Sequence, residues 1–171
     1  MSHIMIDIET LSTAQNALVL SVGMVLFDES TIFSKVYIKN RISTATGDVS
    51  KDTAIWWMSQ SGEARKAITE TKKGVVEMSE YSLVQELRDI LCSYSVKTIW
   101  SQGSFDQVII ESLMLRNGVD KMQLPKYYKW RDLRTVRKLF AIDNEVIPKV
   151  QHNALEDATA QVKTLQEICK Q

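Results

Sequence analysis

The sequence predicts an α/β fold, one domain in which helices pack on a mixed sheet. Three observations point there. The first 40 residues hold three strand-like runs joined by short connections, the pattern of an antiparallel meander. Beyond them, helical periodicity alternates with further strand-like runs, which sets helices against that sheet. The 171 residues contain no internal repeat, low-complexity tract or Gly/Pro-rich linker. Residues 1–171 therefore read as a single domain with enough chain to bury a core.

The elements follow in order. "HIMIDIE" alternates with period two, a strand signature. "LVLSVGMVLFD" and, past the turn-like "DES", "STIFSKVYIK" complete the meander. The polar stretch "NRISTATGDVSKD" is a surface loop. "DTAIWWMSQ" and "SGEARKAITE" are short helices opened by the capping residues Asp52 and Ser61. "YSLVQELRDILCSY" carries Leu83, Leu87, Ile90 and Leu91 as an amphipathic stripe. "VKTIWSQ" is a fourth strand, and "SFDQVIIESLMLRNG" a helix capped by Ser104 and stopped by Gly118. "KYYKW" is a short fifth strand, "RDLRTVRKLF" a helix and "ALEDATAQVKTLQEICK" a long closing helix.

Composition excludes several classes. Hydrophobic residues at 44% and charged residues at 25% are ordinary for a soluble globular chain. The longest apolar run is too short to span a bilayer, so no membrane role is expected. No signal peptide precedes the first strand and Cys92 and Cys169 lack CxxC spacing, which points to the reducing cytoplasm. Twenty-one basic residues balance 21 acidic ones, arguing against a protein that coats duplex through a broad basic face. A protein that grips a strand end needs few phosphate contacts, so nucleic acid stays open.

The chemistry concentrates in acidic residues. Asp7 and Glu9 stand at i and i+2 of the first strand, on one face and about 6.6 Å apart along it. Their carboxylates can converge on one cation while Ile4, Ile6 and Ile8 fill the opposite face. A solvated edge strand would also tolerate such a pair. Asp106 lies in the first turn of a helix just beyond a strand, where α/β sheets often place ligands. Compensation of the helix dipole explains it equally well. His152 precedes the last helix and Asp157 sits in that helix's first turns; histidine is the side chain best suited to accept a proton near neutral pH. Taken together, four hard oxygen ligands suit Mg²⁺ or Mn²⁺ and suit zinc poorly. Two such ions about 3.5–4 Å apart can clamp an in-line phosphoryl displacement. The repulsion within the strand would then be offset by metal.

The set "DIET" at 7–10, "SFD" at 104–106 and "HNALED" at 152–157 resembles the DEDDh 3'–5' exonucleases of the DnaQ-like, ribonuclease H-like group. Each motif alone is weak; in this order, across nearly the whole domain, they are specific. "WWMSQSGEAR" further resembles small bacterial and phage members, the ribonuclease T-like and exodeoxyribonuclease-like enzymes. The resemblance implies a sheet ordered 3-2-1-4-5, strand 2 antiparallel, with helices on both faces. It implies that Asp7, Glu9 and Asp157 hold one divalent ion, that Asp7 bridges to a second, and that Asp106 completes the acidic set. His152 would be the general base. The substrate would be the 3' end of single-stranded DNA or RNA, trimmed one nucleoside monophosphate at a time. Related exoribonucleases are often homodimers, so a homodimer is an expected assembly.

Substrate contacts are less sharply marked. In the family the turn at Thr10 and Leu11 often supports the terminal nucleotide, with the apolar side chain wedged against its base; Leu11 equally reads as a loop residue covering the core. Of Trp56 and Trp57, adjacent on a helix, one is expected in the core and one toward the groove. Trp57 joins Ser104 and Phe105 among the expected substrate contacts. "KYYKWRDLRTVRK" interleaves cations with Tyr127, Tyr128 and Trp130, a mix that suits single strands and also suits a solvated amphipathic element. Asp132 matches no metal position of the family. A non-catalytic nucleic-acid-binding or adaptor module on the same fold is the alternative function, and another two-metal phosphoryl-transfer enzyme a third.

Overall fold

The computed structural model describes residues 2–70, 75–93, 95–141 and 145–170. Strands β1 (Ser2–Thr10), β2 (Val19–Phe27) and β3 (Ile32–Asn40) form the expected meander, each antiparallel to the next. Strand β5 (Val96–Ser101) lies parallel to β1, and β6 (Trp130–Asp132) parallel to β5. A sixth strand, β4 (Val76–Met78), pairs in parallel with β3, giving the order β4-β3-β2-β1-β5-β6. The five expected strands stand in the expected order, and β4 extends the sheet by one edge. Its three residues are too few and too exposed to show an alternating pattern.

Among the described residues six helices accompany the sheet: α1 (Lys51–Ser59), α2 (Gly62–Thr69), α3 (Glu80–Leu91), α4 (Phe105–Arg116), α5 (Leu133–Leu139) and α6 (Ala154–Ile168). Two capping assignments change. Ser50, not Asp52, caps α1 through its side chain, leaving Asp52 in the first turn. Ser104 occupies the α4 cap position but makes no capping hydrogen bond. Ser61 caps α2 as expected. "KYYKW" is largely a 3₁₀ turn over Tyr127–Lys129, and only its Trp130 belongs to β6. Asp132 caps α5, accepting from the Arg134 N–H and the Thr135 hydroxyl. Among the described residues no helix is long and apolar enough to cross a membrane.

Both faces of the sheet are buried. Ile4, Ile6 and Ile8 of β1 pack with Val22 and Met24 against α3 and α4. Each fully buried isoleucine stabilises the fold by roughly 1.5–3 kcal/mol. On the other face Met5, Val25 and Phe27 pack beneath Leu133 of α5 and beneath Ala158, Val162 and Leu165 of α6. Asp7 and Glu9 share that second face, because strand side chains alternate. They therefore sit under a helix, where water does not screen them freely.

One residue sets how closely α6 approaches. Gly23 of β2 pairs with Asp7 of β1, and a Cβ placed on it would lie 2.2 Å from the Ala154 carbonyl carbon and oxygen. The first turn of α6 rests directly on this bare backbone, which brings Asp157 over the strand that carries Asp7 and Glu9. Gly23→Ala forces backbone against backbone, so it should destabilise the protein by about 1–3 kcal/mol or more. Denaturant unfolding measures this; an unchanged midpoint would contradict the close packing.

Candidate active site

The cluster forms where the carboxyl ends of β1 and β5 meet the start of α6. β1 supplies Asp7 and Glu9, and its ladder with β2 shifts register between Glu9 and Thr10 as the chain leaves the sheet. α4 begins just past β5 and carries Asp106 in its first turn. The Asp106 carboxylate accepts a hydrogen bond of 3.2 Å from the Ile8 N–H, which ties it to β1 between the two strand acids. α6 is capped by Asn153, and Asp157 in turn accepts from the Asn153 N–H at 2.9 Å. One carboxylate oxygen from each of Asp7, Glu9 and Asp157 lies within 4.8 Å of the others. All four acids and His152 line one open cleft of about 510 Å³. The separate motifs "DIET", "SFD" and "HNALED" thus converge in space.

These acids are poorly neutralised. Burial, then Asp106, Glu9 and Asp157, push the Asp7 carboxyl well above the ordinary carboxylate range. Burial, with Asp157 and Asp106, lifts Glu9 to about 8. Burial also raises Asp106 to about 7 and Asp157 to about 6, against the opposing hydrogen bonds from backbone N–H groups. Among the described residues no ion pair reaches Asp7, Glu9 or Asp157. Gln161 donates to Asp7 at 2.9 Å, and its own buried carbonyl oxygen has no partner among the described residues.

Glu80 provides the internal contrast. Burial alone would raise it, but hydrogen bonds from Asn117, Thr46 and Asn40 hold it below its ordinary value, with Arg116 at 3.8 Å. The fold can neutralise a buried acid when the chain supplies donors. At the cleft it supplies few, and the donor set is entirely hard oxygen. Such a set fits a divalent cation of the Mg²⁺ or Mn²⁺ kind, with Asp7, Glu9 and Asp157 as the ligands that already converge.

His152 faces the same cleft from the loop before α6, with φ +60°. Burial lowers its pKa, favouring the neutral imidazole that can accept a proton. Trp56 stands edge-on to its ring, with centroids 4.8 Å apart, and Trp57 lies farther off at 6.2 Å. The tryptophan pair divides between core and surface, but Trp57, the one expected at the substrate, is the core member and Trp56 the exposed one. Trp57 is 4% exposed and donates its indole N–H to the Thr10 carbonyl, whereas Trp56 is 42% exposed.

The expected substrate contacts are only partly gathered. Thr10, Trp57 and Phe105 line a pocket that adjoins the cleft through Glu9 and Ile8. Phe105 is 40% exposed and borders both spaces. Leu11 instead packs on the small apolar group of Leu18, Leu20, Trp57 and Ala64, and lines neither space. Ser104 is exposed at the α4 cap and also lines neither. Sequence reasoning passed over Gln161, offered Arg134 only as one cation of a basic segment, and left Trp56 as one of two candidates for the groove. Gln161 sits four residues past Asp157, one helical turn on, so its spacing could have revealed it.

Residues 2–169 match the family model described as the 3'-5' exoribonuclease Rv2179c-like domain. An exodeoxyribonuclease of Enterobacteria phage T4 is 26% identical, over 79% of this chain and 70% of the relative. The family match spans nearly the whole chain, including every element that contributes to the cleft. The protein belongs to the 3'–5' exoribonuclease Rv2179c-like family.

Proposed function

We propose that residues 1–171 act as one exonuclease domain that shortens single-stranded DNA or RNA from the 3' end by metal-dependent hydrolysis of the DEDDh type. The observation that carries this reading is the convergence of Asp7, Glu9 and Asp157 within 4.8 Å, beside Asp106 and His152 in one cleft. Asp7, Glu9 and Asp157 would hold one divalent ion, Mg²⁺ or Mn²⁺, with Asp7 shared with a second and Asp106 completing the set. Bound there, the ions supply Lewis acidity and neutralise charge that builds on the phosphoryl oxygens.

The chain's own groups then act in defined ways. Neutral His152 accepts the proton of the attacking water as its oxygen bonds to phosphorus and the P–O3' bond breaks. A nucleoside 5'-monophosphate leaves, and the shortened strand keeps a 3'-hydroxyl once its oxygen takes a proton from solvent. The edge of Trp56 packed on the imidazole limits the ring's orientations. Gln161 fixes one oxygen of Asp7. Phe105, Thr10 and the exposed edge of the Trp56–Trp57 pair offer apolar surface for the terminal nucleotide in the adjoining pocket. Leu11 and Ser104 are the weaker contacts, reached only by a substrate extending past that pocket.

The family's description names RNA and the phage relative's name DNA, so both polymers belong in the test. Single strands labelled at the 3' or 5' end, of each polymer, are incubated with Mg²⁺, Mn²⁺ or chelator. Metal-dependent release of monophosphates from the 3' end is expected; cleavage inside the strand, or none, would refute the reading. Asp7→Asn should abolish cleavage with the circular dichroism unchanged. His152→Ala should lower kcat by about 10²–10⁴ while the substrate's Kd stays within a few-fold.

The acid cluster also predicts a pH signature. Its carboxyls titrate higher in the folded protein than in the unfolded chain, so the fold holds protons there that unfolding releases. Without metal, the cluster's contribution to stability is therefore most favourable below the ordinary carboxylate range and is lost as pH rises through about 6, 7 and 8. A bound cation removes this loss and competes with those protons. Thermal melts in chelator should show Tm declining between pH 5.5 and 8, with Mn²⁺ raising Tm more at pH 8 than at 5.5. Equal Mn²⁺ shifts at both pH values would contradict it.

A further inference from the structure

The basic and aromatic segment before α5 lies outside the cleft. Lys129 donates to the Ser93 carbonyl at the start of β5, while the acids cluster at that strand's far end. Tyr127 and Tyr128 are 83% and 60% exposed and meet edge to face, with centroids 5.5 Å apart. Two large aromatic rings exposed to this degree bury little of their surface in this chain. Residues 121–131 hold four cations and no acid, in a protein whose formal charge is zero.

A continuous route joins this shelf to the cleft. Arg131 sits on β6, the edge strand, and one nitrogen of its guanidinium donates to the carbonyls of Tyr128 and Trp130 at 2.7 Å. Among the described residues its other nitrogens have no hydrogen-bond partner, and a cation is fixed beside the tyrosine pair. Trp130 packs in the α3/α4 core, so alternation turns Arg131 to the opposite face, the one that carries Asp7 and Glu9. Arg134, just past the strand, lines the cleft and lies over Gly103. Glu145, the acid on this side of the cleft, is occupied by Arg137 and Gln102.

We propose that the strand upstream of the 3' end leaves the cleft past Arg134, follows the β6 edge past Arg131, and stacks its bases on Tyr127 and Tyr128. Cations track phosphates and aromatic faces accept any base, so this surface takes single-stranded nucleic acid without sequence preference. The proposal rests on the exonuclease reading for its direction. It makes affinity depend on strand length, because only a strand that reaches past the edge gains the tyrosine contacts.

The test is fluorescence anisotropy in chelator, which reads binding without cleavage. Labelled oligonucleotides of about 20 and about 4 nucleotides, a length that fits the cleft alone, are titrated with the wild-type protein and with Tyr127→Ala/Tyr128→Ala. Stacking of two bases predicts that the double variant binds the long strand at least about 10-fold more weakly and the short strand within about twofold. Arg131→Gln should also flatten the salt dependence of long-strand binding. Tyr81→Ala, which removes a similarly exposed tyrosine from α3, should change neither Kd. Equal long-strand affinity for the double variant and wild type overturns the proposal, as does failure of the wild type to prefer the long strand. A platform that serves an acidic protein instead would give the first of these results. Loss of 3' shortening with long-strand binding intact would count against the exonuclease reading and leave the platform standing.

Discussion

Four carboxyl groups gathered under the start of α6, three of them without any ion-pair partner among the described residues, are the constraint on which the arrangement of this molecule depends. Burial raises every one of them, and repulsion from the neighbouring acids adds to it at Asp7 and Glu9. A fold selected for stability alone would handle them as it handles Glu80, with amide, hydroxyl and guanidinium donors. The oxygen of Gln161, without a partner among the described residues, points the same way, since buried polar atoms are seldom left unpaired without a reason. The energetic deficit is local and is offset by the apolar packing on both faces of β1.

That packing also explains how the cluster is held. Ile4, Ile6 and Ile8 anchor β1 on one side, so Asp7 and Glu9 must face the other. The bare backbone at Gly23 lets α6 descend until Asp157 reaches them. Asp106 is drawn in by the Ile8 N–H, a main-chain group of the same strand. Each acid is therefore placed by backbone on a rigid element, with little freedom to drift apart under repulsion.

Much of this was legible in the sequence, for physical reasons that differ by element. Strands of nine residues with period-two alternation and helices with an apolar stripe declare themselves, and the acids became legible because three motifs, each weak alone, occur together in one order with one of the chain's two histidines. β4 was not legible, because three residues, two of them exposed, carry no periodicity. "KYYKW" misled, because aromatic residues favour strands, yet here two tyrosines sit outside in a 3₁₀ turn. Ser50 and Asp52 are both capping types two positions apart, and only the observed backbone chooses between them. Trp56 and Trp57 could be split into core and groove, but assigning them needed the Thr10 carbonyl that captures one indole. Arg134 reads as one cation among several until the fold sets it beside the cleft.

The central claim is that a divalent cation supplies the charge this cluster lacks. Titration calorimetry of Mn²⁺ at pH 7, in buffers of different ionisation enthalpy, counts the protons displaced. Because Glu9 titrates near 8 and Asp106 near 7, binding should release about one proton or more, and Asp7→Asn should remove the heat. Binding with no proton release, or unchanged in Asp7→Asn, would contradict the account.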